Sequence, residues 1–557
     1  MPKAQVRVFS GMRPARSSDL LRPGEAQYAL NTRLTGGDLD SFLGLATPST
    51  GLTLVSSSVR TIYRFGQTSS NELLYWFQSV YDVDFVRGPV DLDTTERTYW
   101  TDYSPATSTV PNTSGYPKKT DAALATSGTP YPAASYRLGM PTPMVAPTVA
   151  VTGTATNPAD PSETIIYCMT YVSIWGEEGP PSALSAAVLL KPGQSVSVSG
   201  LPTAPGAGYN TPGKRLYRSA TGSTGTKFQL VNTEGDIALA TTTYSDTKLT
   251  AALGETLVTT GWVAPPDTLT GLCAMANGIL VGFTGNTLCF SVSFAPYAWP
   301  VRYRQSVDAP IVGIAAIEQS VFVGTTQGIY IFTGSDPGQM SSEKLPVQQS
   351  CVSKRSIVVM QGGVMFASPD GLMRYSSSGL ENVTDGLMTR LEWQAYVPSS
   401  INAYESDNRY VAFFDTGSRQ AGMIFSFGSS PTFSETDVYA TAGFRDRQRD
   451  ALYLCVAGVL KKWDAGSPLT YNWTSGVFHF PREVNMACAR VDASAYPITF
   501  QLYADGVAVG SALNVASRYG FRLPSGYRSA RYSFSLTGTS TVREVTIATA
   551  MKELGSE

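Results

Sequence analysis

Charge is scarce in this sequence: only 15% of its 557 residues are Asp, Glu, Lys or Arg, against about 25% in ordinary soluble domains. The net charge of −2 provides no broad basic field to hold nucleic acid or an anionic membrane. That excludes a protein that grips DNA, though not a surface that DNA slides past. Histidine occurs once, at His479, and no Gly-x-Ser-x-Gly elbow accompanies it, so a hydrolase triad has no visible parts. The six cysteines, at 168, 273, 289, 351, 455 and 488, form no Cys-x-x-Cys pair. A zinc site is therefore not expected, and these residues read as small buried apolar groups. No stretch approaches the roughly 18 apolar residues of a membrane span, and the opening MPKAQVRVFSGMRPARSSD lacks the apolar core of a secretion signal. The expectation is a chain made in a cytoplasm and left soluble there.

What is abundant points to β structure. The 51 Gly and 35 Pro interrupt the chain too often for long helices, and the 29 Tyr and 23 Phe favour strands. A chain of this length implies roughly three or four domains. Residues 1–145 read as an N-terminal segment, a first blade-sized sheet and a linker. Within them, 21–31 is expected to form a short helix opened by Pro23. Strands are expected at 61–65, 73–77, 83–86 and 97–101, closing one four-stranded sheet, with a Ser/Thr/Pro-rich linker over 104–145. Residues 146–262 carry some seven strand-like runs, which fits an inserted sandwich of the immunoglobulin or fibronectin type III kind.

Residues 263–466 repeat one unit: an apolar strand, a small polar turn and a second strand. Taking Gly285, Gly328, Gly371, Gly422 and Gly458 as turn residues, the spacings are 43, 43, 51 and 36. Periods near 40–50 residues mark the blades of a β-propeller. Residues 467–557 read as a terminal β-sandwich with a hairpin turn at Ala504-Asp505-Gly506. The fold expected is thus all-β: a propeller platform, an inserted sandwich and a C-terminal sandwich.

Candidate chemistry is thin. Glu177-Glu178 lies in a Gly/Pro turn, and Asp82 and Asp84 are expected on one strand face. Both pairs read as solvated acids rather than a glycosidase dyad. Ser368-Pro-Asp-Gly371 is a weak match to a sialidase-type turn. Asp91-x-Asp93 and Ser335-Asp336 read as turn caps rather than calcium ligands. The mixed-charge run Arg445–Asp450 reads as a solvated turn or an ion-paired subunit contact. No enzyme, cofactor or metal is expected.

Several motifs, in order, resemble those of another group of proteins. They are Leu20-Leu-Arg-Pro-Gly-Glu-Ala-Gln-Tyr-Ala-Leu-Asn-Thr-Arg33, Glu96-Arg-Thr-Tyr-Trp-Thr101, Gly115-Tyr-Pro-Lys-Lys-Thr120 and Tyr136-Arg-Leu-Gly-Met-Pro141. Together with Lys214-Arg-Leu-Tyr-Arg-Ser219 in the insert, they resemble the tail nozzle (tail tubular B-type) family of short-tailed bacteriophages. The residues that carry the resemblance are Gly24, Ala26, Asn31, Arg97, Tyr99, Trp100, Tyr116, Pro117, Arg137 and Gly139. It covers roughly residues 10–260. It implies a virion protein made in the host cytoplasm, forming a hexameric tube at the distal end of the tail. That tube would dock on an adaptor ring, contact tail fibres, and pass double-stranded DNA without reading its sequence, with the host outer membrane as a further partner on ejection. The alternative is a host-glycan receptor-binding protein or polysaccharide depolymerase, in which aromatic loops such as Tyr297-Ala-Trp299 would stack on sugars.

Overall fold

The computed structural model describes residues 2–34, 36–48, 58–66, 74–90, 93–101, 115–222, 225–427 and 431–554. The protein is all-β. The described residues hold many antiparallel sheets and only two short α-helices, Ala122–Thr126 and Arg390–Ala395. The chain divides into two compact units. The first comprises 1–82, 322–330 and 344–557, and the second 83–321 and 331–343. This is not the sequential division expected, because the opening 82 residues belong with the C-terminal half.

In the first unit, three sheets follow each other along the chain. Sheet E holds Val358–Met360, Gly363–Ser368, Gly371–Ser376 and Gly379–Asn382, paired in that order. Sheet F holds Asn402–Ser406, Arg409–Asp415, Gln420–Ser426 and Thr432–Thr436, the end of an eleven-stranded sheet that continues through Ala26–Leu30 into Tyr471–Ser475, and sheet G holds Ala442–Asp446, Ala451–Val456 and Val459–Lys462. A two-stranded sheet A, Thr61–Arg64 with Trp76–Ser79, lies beside them. The faces of these sheets share cores. Val411, Phe413 and Ile424 of F pack with Leu452 and Leu454 of G. Tyr453, Cys455 and Leu460 of G pack with Ile62 and Trp76 of A. First strands of successive sheets also run side by side, E by F, F by G and G by A. Alternation along each strand sends successive side chains to opposite faces, so an apolar run such as Ala451–Val456 can serve two neighbours at once.

The C-terminal residues form two layers around one core. Tyr471–Ser475, Ser529–Gly538 and Ile498–Ala504 pair in that order, while Val542–Ala548 pairs with Cys488–Ala493. Trp473, Phe500, Phe534, Val491, Val545 and Ile547 are all buried between them. The strand Lys3–Val6 completes the second layer, with Lys3 opposite Ala548 and Val6 opposite Val545. The hairpin turn at 504–507 forms as expected, with Asp505 and Gly506 both at positive φ (49° and 79°).

In the second unit, sheet B pairs Phe85–Arg87, Thr98–Trp100, Lys118–Thr120 and Tyr136–Arg137 in sequence order. Sheet C pairs Thr270–Ala274, Leu280–Thr284, Thr287–Phe290 and Arg304–Ser306 likewise. Tyr99 and Leu138 of B share a core with Leu280 and Cys289 of C. Further along the chain, strands Ile311–Ile317, Ser320–Thr325, Ile329–Thr333 and Ser341–Lys344 pair in sequence order as sheet D, whose residues are divided between the two units. Between B and C lies the 146–262 segment. Its sheets Thr148–Thr152/Ser195–Ser199/Thr243–Asp246 and Tyr167–Val172/Gly213–Gly222/Gly225–Leu230 enclose Tyr167, Met169, Val196, Val198, Leu216 and Val231.

Three expectations are corrected. The 21–31 helix does not form. Residues Ala26–Leu30 are a strand paired with Tyr471–Ser475, entered through a turn in which the Glu25 amide donates to the Arg22 carbonyl at 2.9 Å. Pairing partners far along the chain override local helix preference. The four strands of 59–103 do not make one sheet. The first two form sheet A, and the last two join sheet B with strands from the expected linker. Within that linker, 102–114 lies outside the described residues, as do Leu73 of the second strand and Asp91. Finally, Gly422 is not a turn residue. It sits inside Gln420–Ser426 opposite Phe413, and the turn is 416–419, closed by the Thr416 amide on the Arg419 carbonyl at 3.0 Å.

Candidate functional site

The motif residues fall in two places. In the first unit, Gly24 stands at φ +93°, and a Cβ there would lie 2.0 Å from the Val8 carbonyl oxygen, which only glycine permits. Next to it, Glu25 is ion-paired with the guanidiniums of Arg13 (2.7 Å) and Arg16 (3.2 Å). Ala26 is buried opposite Ser475. Asn31, in the left-handed region at φ 56°, donates its side-chain amide to the Thr470 carbonyl at 3.1 Å. It also accepts from the Asp437 amide at 3.3 Å. These contacts tie strand Ala26–Leu30 to segments more than 400 residues away.

In the second unit, the remaining motif residues surround sheet B. Arg97 donates from Nε to Asp93 Oδ2 at 3.0 Å. Burial alone would raise the Asp93 carboxyl, but hydrogen bonds from Thr95 and Arg97 outweigh it and bring it from 3.8 to about 2. Tyr99 and Trp100 are buried, and Trp100 stacks on Phe85 at 5.6 Å. The Pro117 carbonyl accepts from the Leu138 amide at 2.7 Å. The Arg137 guanidinium lies 4.1 Å over the Tyr116 ring and 5.7 Å from that of Tyr209, and it pairs with Asp267. Gly139 is at φ +104°, with Ala264 2.6 Å from where a Cβ would stand. Tyr209 belongs to the inserted segment, and Ala264 and Asp267 follow it, so this cluster ties the edge of sheet B to the insert and to the chain that runs from the insert into sheet C.

The same junction overturns the reading of Glu177-Glu178 as solvated. Both are buried. Glu177 pairs with Lys119 of sheet B, whose ammonium also donates to the Gly139 carbonyl at 3.3 Å. Glu178 accepts from Thr170 Oγ1 (2.6 Å), the Tyr217 hydroxyl (2.7 Å) and Arg215 (3.1 Å). Burial first, then the Glu178 charge, holds the Tyr217 hydroxyl well above its ordinary range. A carboxylate held among such partners is structural rather than catalytic.

The other candidates resolve similarly. Asp82 and Asp84 do not share a strand face, since the strand begins at Phe85. Asp82 pairs with Lys354 at 3.3 Å, while Asp84 accepts from the Gly271 amide at 2.7 Å. Asp370 of the Ser368–Gly371 turn is held by Gln349 (2.7 Å) and Arg390 (3.0 Å). Asp336 caps the Gly338 amide at 2.8 Å. In the 445–450 run, Asp446 is fully buried and accepts from Arg449 at 2.9 Å, with Arg64 at 3.5 Å. That part of the run is an internal ion pair rather than a solvated turn. Trp299 of the aromatic loop is buried, its indole N–H on the Pro296 carbonyl at 2.8 Å, and cannot meet a sugar. His479 is half exposed, 3.4 Å from Asp19. Gly285 and Gly458 occupy turns at φ 61° and 76°; Gly328 closes one through Thr325 Oγ1 at 3.0 Å, and Gly371 ends another opposite Ser368. The six cysteines are unpaired. Burial pushes the thiols of Cys168 and Cys351 up to about 12. No helix is long and apolar enough to cross a membrane, and the described residues hold no metal-binding cluster.

One polar cleft in the first unit has no counterpart in the sequence reading. It encloses about 610 Å³ where chain segments enter the first strands of sheets E, F, G and A, and its walls include Arg60, Arg355, Asn402, Asp415, Gln420 and Tyr439. Arg355 donates to the Thr441 carbonyl at 2.6 Å and the Tyr404 hydroxyl at 3.3 Å. Neither Arg355 nor Arg60 has a carboxylate partner among the described residues. The one wall carboxylate, Asp415, accepts from Gln420 Nε2 at 2.8 Å and the Gly417 amide at 2.7 Å, which lowers its proton affinity. Asn402 is 3% exposed; its amide N–H donates to the Ala440 carbonyl at 3.2 Å, and its carbonyl oxygen is without a partner.

No known protein family and no curated protein matches the chain. Similar solved structures include the N-terminal part of BBS1 in complex with ARL6, at 12% identity, covering 48% of this chain and 86% of that one with a TM-score of 0.25. PorZ, a surface component of the type IX secretion system of Porphyromonas gingivalis, is 11% identical over 59% of this chain and 51% of its own, with a TM-score of 0.26. The N-terminal domain of Nup159 is 11% identical over 60% and 87%, with a TM-score of 0.23. Likenesses this low carry no argument about fold or function.

Proposed function

We propose that this chain is a non-enzymatic structural subunit of a short phage tail, a protomer of the distal nozzle that retains packaged DNA and lets it pass on ejection. In this reading sheets A to G are blades of a propeller platform, 146–262 is an immunoglobulin or fibronectin type III-like insert, and the C-terminal layers are a β-sandwich. The observation that carries it is the placement of the nozzle-like motifs. Gly24, Asn31, Arg97, Tyr116, Arg137 and Gly139 hold together framework junctions instead of lining a reaction centre. Face-to-face packing of successive meanders within each unit supports the propeller. A near-neutral chain also suits a conduit, since many phosphate contacts would hold DNA in place.

Electron microscopy tests the proposal directly. Purified protein should form closed rings, and antibody label on virions should sit at the tail tip. A stable monomer that never joins tail particles would sink it. The alternative of a glycan-binding tail protein gains one specific support in the cleft lined by Arg60 and Arg355.

A further inference from the structure

We infer that the cleft between the strand entries of sheets E, F, G and A is a binding site for an anionic saccharide, a sugar carrying a carboxylate or a phosphate ester. The inference does not depend on the nozzle reading. It starts from charge. The walls present two guanidiniums, Arg60 and Arg355, that have no carboxylate partner among the described residues, against one carboxylate, Asp415, already held by Gln420 and Gly417. Two unneutralised forks facing one space favour an anion, and guanidinium suits a carboxylate or phosphate through paired N–H donors.

The second observation is Asn402, a residue of the cleft lining whose buried carbonyl oxygen has no partner among the described residues. A buried acceptor left unpaired is costly, so it marks a place for a donor. A small inorganic anion offers mainly acceptors, which suit the arginines, and phosphate near neutral pH adds only a hydroxyl or two as donors for Asn402. A sugar supplies both, because its hydroxyls donate while its acid group accepts. Tyr439, half-buried in the wall, adds a ring and a hydroxyl of the kind that meets a pyranose face. The volume of about 610 Å³ admits one or two sugar rings. The site is built from segments of four successive sheets, so its shape is fixed by packing rather than by one loop.

Calorimetric titration of the full chain tests this with four probes: a short oligogalacturonate, glucose 6-phosphate, maltotetraose and inorganic phosphate. The expected result is binding of one or both charged sugars, no heat from neutral maltotetraose, and weak competition by phosphate. Which charged sugar binds tells whether the acid is a carboxylate or a phosphate ester. Arg60→Ala, at an exposed position, should weaken binding by roughly tenfold without changing the unfolding midpoint. Arg355→Lys, which keeps the charge but loses the fork, should weaken it as well. The inference is overturned if neither charged sugar binds, if maltotetraose binds equally, if phosphate alone binds as tightly as either sugar, or if Arg60→Ala leaves affinity unchanged. Ring assembly and tail association would be unaffected by any of these outcomes, so the two proposals fail separately.

Discussion

At the scale of the residue, the low charge of the chain hides how its charges are used. Lys119 and Glu177 are buried against each other across the junction of sheet B with the inserted segment. Removing one partner strands the other in a low-dielectric site, at a cost of about 3–5 kcal/mol, whereas replacing both with apolar groups of similar size is much milder. Lys119→Met should therefore lower the denaturant midpoint of the second unit sharply, and Lys119→Met with Glu177→Leu should recover most of the loss. A double-mutant cycle followed by circular dichroism measures this directly. Asp93 gives a pH signature at the same sheet. Its folded carboxyl titrates at about 2, below the ordinary 3.8. The stability it contributes is complete above pH ~4 and disappears as pH falls from there through ~2. Asp93→Asn should flatten acid unfolding in that window, and a profile unchanged between pH 2 and 4 would contradict the assignment. Asp93 was legible as a turn cap, and it accepts from the Thr95 amide at 3.0 Å, but the Lys119–Glu177 pair was not legible. A Gly/Pro turn usually faces water, and nothing local to Glu177 says that a lysine nearly 60 residues earlier will come to cover it.

At the scale of the element, hairpins were legible and their assembly was not. The repeated apolar strand, turn and strand marked the central hairpins of sheets C, D and E within a residue or two, and that of F within three, because period-two alternation and turn chemistry are local properties. The first sheet was misread because its four strands lie close in sequence yet pair with different partners. Phe85–Arg87 pairs with Thr98–Trp100, which takes Lys118–Thr120 as its other neighbour, a stretch whose two lysines make it look like linker. The expected helix at 21–31 failed for the same reason. Its alanines suit a helix, but they are also small enough to lie flat under Trp473 and Ser475 of the partner strand. Sheet A offers a test of the shared cores. Trp76 meets Tyr453 edge-on at 5.1 Å and Phe444 at 5.7 Å, although sheet A contributes only two strands. Trp76→Ala should cost about 3–5 kcal/mol and lower the melting temperature of the first unit, whereas Leu74→Ala, at a partly exposed neighbour, should change little.

At the scale of the whole molecule, the chain is not a string of domains read in order. Residues 1–82 and 344–557 form one unit, and strand Lys3–Val6 is edged onto Val542–Ala548. Composition set the all-β class, but the long-range closure rests on four backbone pairs at the sheet edge, which no periodicity announces. Deleting Lys3–Val6 would bare the edge of Val542–Ala548 and the apolar side chains of Val545 and Ile547. The truncated protein should bind a hydrophobic dye and aggregate on mild heating, as unpaired apolar edges do. A Gln5→Ala variant keeps the strand while losing the 2.8 Å hydrogen bond to Glu544, and should remain soluble.

That pairing also sets a clock on biosynthesis. The strand that emerges near the start must wait for one made some 540 residues later, roughly half a minute to two minutes at ordinary elongation rates. Throughout that interval Ala4 and Val6, both buried in the finished protein, have no sheet to join. The second unit, encoded entirely inside this interval, can reach its native state while the ribosome is still working. The first cannot close its Lys3–Val6 edge until Val542–Ala548 has emerged.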